Sequence, residues 1–159
     1  MNYTNYNYKK GSYTPKRAVK KFTDLDVYTQ SHEISVFVCK ELIASLEDLN
    51  KQGEYINIIK QTIIERMIKC ALETPRLVAE AHSKRFGAGK EPLDILDIVM
   101  HKCNAMVAYL YQVHDILENR ITTERFEEQI TKCFVIRRKT LSLQRVWKKS
   151  IQTYEERNK

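Results

Sequence analysis

Seven cations and no carboxylate fall between Thr131 and Ser150, in the string TKCFVIRRKTLSLQRVWKKS. Lys132, Arg137, Arg138, Lys139, Arg145, Lys148 and Lys149 are interleaved there with Phe134, Ile136, Leu141, Leu143 and Trp147. A helix of this kind can pack on its apolar side and offer guanidinium and ammonium groups to phosphates on another. A solvated helix face would use the same composition, so the rest of the chain has to weigh in. The other chemistry-bearing residues are dispersed. Cys39, Cys70, Cys103 and Cys133 stand singly, with no C-x-x-C pair, and fall near the midpoints of the four expected helices. A tetrathiolate layer is one reading, and small core residues is the other. No metal ligand is assigned. His32, His82, His101 and His114 are scattered without an HExxH arrangement, and His32 and His114 fall on expected core seams, as buried, hydrogen-bonded side chains. Glu80 suits either a buried ion pair or the surface. Gly87-Ala88-Gly89-Lys90 lacks the spacing and the Ser/Thr of a phosphate loop and reads as a turn. Neither a Ser-His-Asp nor a Cys-His arrangement emerges from the spacing, so no enzyme and no cofactor are expected.

Charge is unevenly distributed. Residues 1–21 hold six basic and no acidic residues, residues 22–121 hold 11 basic and 15 acidic, and residues 122–159 hold 10 basic and 5 acidic. The net +7 therefore resides at the two ends of the chain. That asymmetry points to an anionic partner, with nucleic acid ahead of a membrane surface. No apolar run is long enough to span a bilayer, and the first residues lack the apolar core of a signal peptide. A cytoplasmic location with reduced thiols is the expectation.

The elements that must position the cations are helical. Residues 1–21 are polar, basic and tyrosine-rich, a disordered tail whose Lys16, Arg17, Lys20 and Lys21 meet phosphates or merely solubilise. A bundle domain is expected over 22–152, followed by a frayed end at 153–159. Its first helix, capped by Asp24 or Asp26, presents Tyr28, His32, Ser35, Cys39, Leu42, Leu46 and Leu49 as a seam at steps of four and three, and Asn50–Gly53 stops it. The second presents Ile56, Ile59, Ile63, Met67, Cys70, Thr74, Val78 and Ala81, and Pro75 predicts a kink near Thr74. Glu91 and Pro92 open the third, whose seam runs from Leu93 through Leu96, Met100, Cys103, Val107, Leu110 and His114 to Leu117. Val99, Met106 and Tyr109 widen that stripe enough for a second packing partner. Thr122 or Thr123 caps the fourth, where the seam of Phe126, Ile130 and Cys133 meets Arg137, Thr140 and Gln144. Either the helix rotates there or its second half faces something wet. Acidic residues in its first turn and cations later also suit the helix dipole. The expected fold is all-α, an antiparallel up-down four-helix bundle.

Three strings carry a family resemblance. FTDLDVYTQSHEIS, Phe22–Ser35, resembles the F-x-D-L-x-V-W/Y-x-x-A/S-H-E opening of small four-helix-bundle proteins encoded in intervening sequences of bacterial 23S ribosomal RNA genes. TPRLVAEAHSKR, Thr74–Arg85, is similar to their I-P-x-x-I-A-E-G segment at Pro75, Ala79 and Glu80, with Ala81 where glycine is usual. VWKKS, Val146–Ser150, resembles the W-x-K-S end of a related branch, the accessory variability determinant of diversity-generating retroelements. The third helix, with HKCNAMVAYLYQV, lacks the S-E-L-E string of the intervening-sequence type, which leans the resemblance toward the retroelement branch. The resemblance covers about residues 22–151. It implies a ring-like homo-oligomer, a homopentamer, that binds RNA or an RNA/DNA hybrid and a reverse transcriptase. The competing expectation is an oligomeric interaction scaffold without a polymerase partner.

Overall fold

A computed structural model describes residues 21–45, 58–86, 89–117 and 120–157. Among these, every regular element is helical. A short 3-10 turn, Phe22–Asp24, leads into α1, which is α-helical over Asp26–Val36 and widens into a π-helical stretch at Phe37–Leu42. Three long helices follow: α2 (Ile58–Lys84), α3 (Glu91–Leu117) and α4 (Thr123–Arg157). The connection from α1 to α2 and the two short segments at 87–88 and 118–119 lie outside the described residues, as do Leu46, Leu49, Ile56 and the Asn50–Gly53 stop.

The helix ends follow local chemistry. Pro92 sits in the first turn of α3, where a missing backbone N–H leaves no hydrogen bond unmade. Gly89 precedes it with φ of 109°, a conformation suited to glycine, and nothing lies within 4 Å of where a Cβ would stand. Thr122 caps α4, its hydroxyl accepting from the Arg125 N–H at 3.4 Å. At α1 neither aspartate caps: Leu25 occupies the cap position, Asp26 lies inside the first turn, and Asp24 accepts from the Lys21 backbone N–H.

The four helices pack together, α3 lying against α2 and α4, and α1 against the same two. Phe37 and Phe126 meet edge to face at 5.8 Å in a core that also buries Val38, Leu42, Met67, Val78, Leu96, Val99, Leu110 and Ile136. The α2 seam from Met67 through Cys70, Thr74 and Val78 to Ala81 is buried as its spacing predicts. On α3 two of the three widening residues, Val99 and Met106, are buried in the core, while Tyr109, Met100, Val107 and His114 lie at its margin.

Along α1 Val27, Ser31, Ile34 and Val38 are buried one position ahead of expected seam residues; of that seam Ser35 is buried as expected, His32 is exposed, and Tyr28 and Cys39 are half-buried. The π-helical stretch explains the offset. Its wider turn inserts an extra residue, after which Leu42 lands on the core face where the spacing put it. His32 stacks on Tyr28 at the surface, with ring centroids 6.1 Å apart.

Pro75 lies inside α2, which remains helical through it. Proline has no N–H to give the carbonyl four residues earlier, here that of Ala71. Ser35 supplies the missing donor from α1: its hydroxyl lies 2.6 Å from the Ala71 oxygen and 3.0 Å from the Ser31 oxygen, in a buried setting, and its single proton goes to the shorter contact. Backbone chemistry thus pins α1 to α2 at one register.

Candidate nucleic-acid interface

The cations of α4 divide into two sets by the direction they leave the helix. Arg125, Lys132 and Lys139, at steps of seven, face α1. The Arg125 guanidinium forks onto both carboxylate oxygens of Glu41 and also meets Glu128. Lys132, only 19% exposed, lies 2.9 Å from both Glu33 and Glu128. Lys139 pairs with Asp26. These contacts form a ladder that fastens α1 to α4, and they leave their mark on titration. Hydrogen bonding to Arg125 holds the Glu41 carboxyl below its ordinary range, and Lys132, then Arg125, do the same to Glu128. Burial works to lower the Lys132 pKa, but its contacts with Glu33 and Glu128 prevail and the net shift is upward.

The second set is Arg137, Arg138, Arg145, Lys148 and Lys149. All five are exposed, and none forms an ion pair among the described residues. Spacings of three, four, seven and eleven put Arg138, Arg145, Lys148 and Lys149 with Phe134 and Leu141 on one face of the helix. Phe134 is 55% exposed and Leu141 39%. The face is therefore a strip of unengaged cations interrupted by two apolar side chains. Beneath it Ile136, Thr140, Trp147 and Ile151 are buried. The core stripe steps from Cys133 to Ile136 instead of Arg137, so the seam drifts around α4 and the guanidinium stays in water.

Of the remaining predicted cations, Lys21 is exposed beside the first 3-10 turn, and Lys16, Arg17 and Lys20 lie outside the described residues. The structure thus places Lys132 and Lys139 within intramolecular ion pairs and leaves the other five along α4 open.

Along the C-terminal half of α4 the strip borders a groove of about 750 Å³ against the start of α3. Its walls are Lys90, Asp94 and Asp97 on one side and Gln144, Arg145, Lys148, Gln152 and Glu155 on the other, over Leu93 and Ile151. The Gln144 amide donates across it to the Leu93 carbonyl at 3.2 Å and to Asp97 at 2.7 Å. Spacing had marked Gln144 as a misplaced seam residue; the carboxylates opposite it come from another helix, and no signal in the local string announces them.

The other candidate residues do not lie along this strip or groove. Cys70, Cys103 and Cys133 are buried close to one another, with burial pushing the Cys103 thiol up to about 12 and the other two in the same direction, whereas Cys39 is half-buried. Among the described residues no group of His, Cys, Asp and Glu could hold a metal ion. His82, not His32 or His114, is the buried histidine: Arg85 donates to its Nδ1 at 2.9 Å, Trp147 lies 6.4 Å away, and Nε2 has no partner. His114 is half-buried, edge-on to Phe126 and 3.1 Å from the Thr123 hydroxyl. Glu80 is half-buried and ion-paired with Arg76 and Lys84, between the two readings its position offered. No described helix is long and apolar enough to cross a membrane. No family model matches the chain, and neither a curated protein nor a solved structure was found to be similar to it.

Proposed function

We propose that this chain is a non-catalytic nucleic-acid-binding accessory protein that holds template RNA, or an RNA/DNA hybrid, beside the reverse transcriptase of a diversity-generating retroelement. One observation carries the binding half of that reading: five cations of α4 remain exposed and without ion pairs although carboxylates on α1 engage their neighbours. A helix shaped by stability alone would gain nothing from leaving them so. Phe134 and Leu141, between the cations, offer apolar surface for unpaired bases. The polymerase half rests on the resemblance of Phe22–Ser35, Thr74–Arg85 and Val146–Ser150 to the retroelement branch. The same reading keeps a cytoplasmic setting, and a kink in α2 that rests on Pro75.

The same reading takes the fold as an antiparallel up-down bundle. In its favour, the contacts Asp26–Lys139, Glu33–Lys132 and Glu41–Arg125 ascend α1 while descending α4, and Glu73–Lys102 and Lys84–Glu91 do so between α2 and α3. Five such bundles would form the ring. The exposed Leu72, Ile98 and Tyr111 favour assembly, and they keep the scaffold as the second reading.

The test is the salt dependence of binding to a single-stranded RNA. Neutralising five phosphates gives a slope of log affinity against log salt of about −3.5, because counterions are released. Replacing Arg137, Arg138, Arg145, Lys148 and Lys149 by Gln flattens that slope and abolishes binding near physiological salt. Unchanged affinity and slope in that variant would overturn the assignment of the strip. Absence of saturable binding by the parent chain favours the scaffold.

A further inference from the structure

The groove between α3 and α4 is unlike the strip it borders. A surface that only holds phosphates is weakened by carboxylates, yet here Asp94, Asp97 and Glu155 line the same groove as Lys90, Arg145 and Lys148. Opposite charges on one groove can close into ion pairs, but among the described residues none of these six forms one. The groove instead stays open, at a volume within the range of small-ligand pockets. An occupant that satisfies both walls must bring an anion to Arg145 and Lys148 and hydrogen-bond donors to the aspartates. A nucleotide unit of a single strand does both.

The donors narrow the choice of base. Asp97 already accepts from Gln144 through one oxygen, whereas Asp94, one turn earlier, has no side-chain partner among the described residues. A free carboxylate matches two parallel donors, and among the RNA bases only the guanine edge, with N1–H beside the N2 amino group, presents them. Cytosine and adenine each offer one amino group there, and uracil a lone imino N–H. Leu93 and Ile151 supply an apolar floor for the ring.

We infer that the Asp94–Arg145–Lys148 groove is a guanine-selective nucleotide pocket, in which Asp94 accepts from the base while Arg145 and Lys148 hold its phosphate. The inference rests on the RNA-binding reading of α4 and adds base selectivity to it.

The experiment uses the full chain and three fluorescein-labelled ten-nucleotide RNAs, oligouridine and the same strand with one central guanosine or adenosine, followed by fluorescence anisotropy. The guanosine strand is expected to bind at least about tenfold more tightly than the other two, the discrimination of one bidentate contact. Asp94→Asn should bind all three alike, no more weakly than the parent binds oligouridine, since a charge repelling phosphate has gone. Arg145→Gln should weaken all three while the guanosine preference persists. Equal binding of the three strands by the parent chain, or a preference that survives Asp94→Asn, overturns the pocket while leaving the strip intact. Failure of all three strands to bind overturns both.

Discussion

Ser35 and Pro75 provide the sharpest check on the packing of α1 against α2. Removing the Ser35 hydroxyl leaves the Ala71 carbonyl, 1% exposed in its residue, without the donor that proline cannot supply. An unsatisfied buried acceptor costs about 1–3 kcal/mol. Ser35→Ala should therefore destabilise the chain by that amount, read as a fall in urea midpoint at constant m-value. Pro75→Ala restores a backbone N–H at the right position for Ala71, so in that background Ser35→Ala should cost far less. The coupling in the double-mutant cycle is expected at about 1–2 kcal/mol. It isolates the hydrogen bond from the small loss of packing, because the serine-to-alanine change is the same in both backgrounds. Coupling below ~0.5 kcal/mol, the ordinary scatter of additivity, would refute the idea that Ser35 replaces the missing donor.

Other expectations follow from burial and charge. Gln129 is fully buried with both amide atoms unpartnered, so Gln129→Met should raise stability by about 1–3 kcal/mol in the same urea assay, and a loss would contradict the burial. Burial, then Arg85, lowers the His82 pKa from 6.5, while Asp24 opposes weakly. The unfolded chain then takes up this proton first, so the stability His82 contributes is intact above pH 6.5 and declines as pH falls from there to the lower pKa of the folded state. His82→Gln should flatten this part of the profile, as followed by thermal unfolding between pH 7 and 5. Native protein should react with a thiol reagent chiefly at Cys39, with Cys70, Cys103 and Cys133 modified only on unfolding, which peptide mapping can read.

How far the sequence reached depends on the range of the forces involved. The α2 seam was legible because Met67, Cys70, Thr74 and Val78 recur at the helical period and the helix holds that period through Pro75. The α1 seam was displaced because periodicity assumes a uniform turn, and the π-helical stretch at Phe37–Leu42 is not one. At α4 the conflict at Arg137 was visible in the string, and so was its resolution, since Ile136 beside it could take the buried place. What no local pattern could supply is the pairing of Ser35 with Ala71, the pairing of Arg125 with Glu41 across 84 positions, and the placing of the aspartates of α3 on the same groove as Arg145 and Lys148. Those are products of tertiary register. Seven cations in one string therefore read as one site, although the fold uses Lys132 and Lys139 to bind α1.

That division makes a final prediction, separating stability from binding. Lys132→Glu places a carboxylate against Glu33 and Glu128 in a position only 19% exposed. Two attractive contacts become repulsive, and a loss of about 1–3 kcal/mol is expected, at the upper end for partly buried pairs. Arg138→Glu reverses a charge with no ion pair at the surface, where substitutions change stability by no more than about 0.5 kcal/mol. On RNA the order inverts. Arg138→Glu should weaken binding and take about one unit from the salt slope, while folded Lys132→Glu protein, held well below its unfolding midpoint, should keep the parent slope. Equal effects of the two substitutions on binding would mean that α4 acts through its total charge and not through the outward strip.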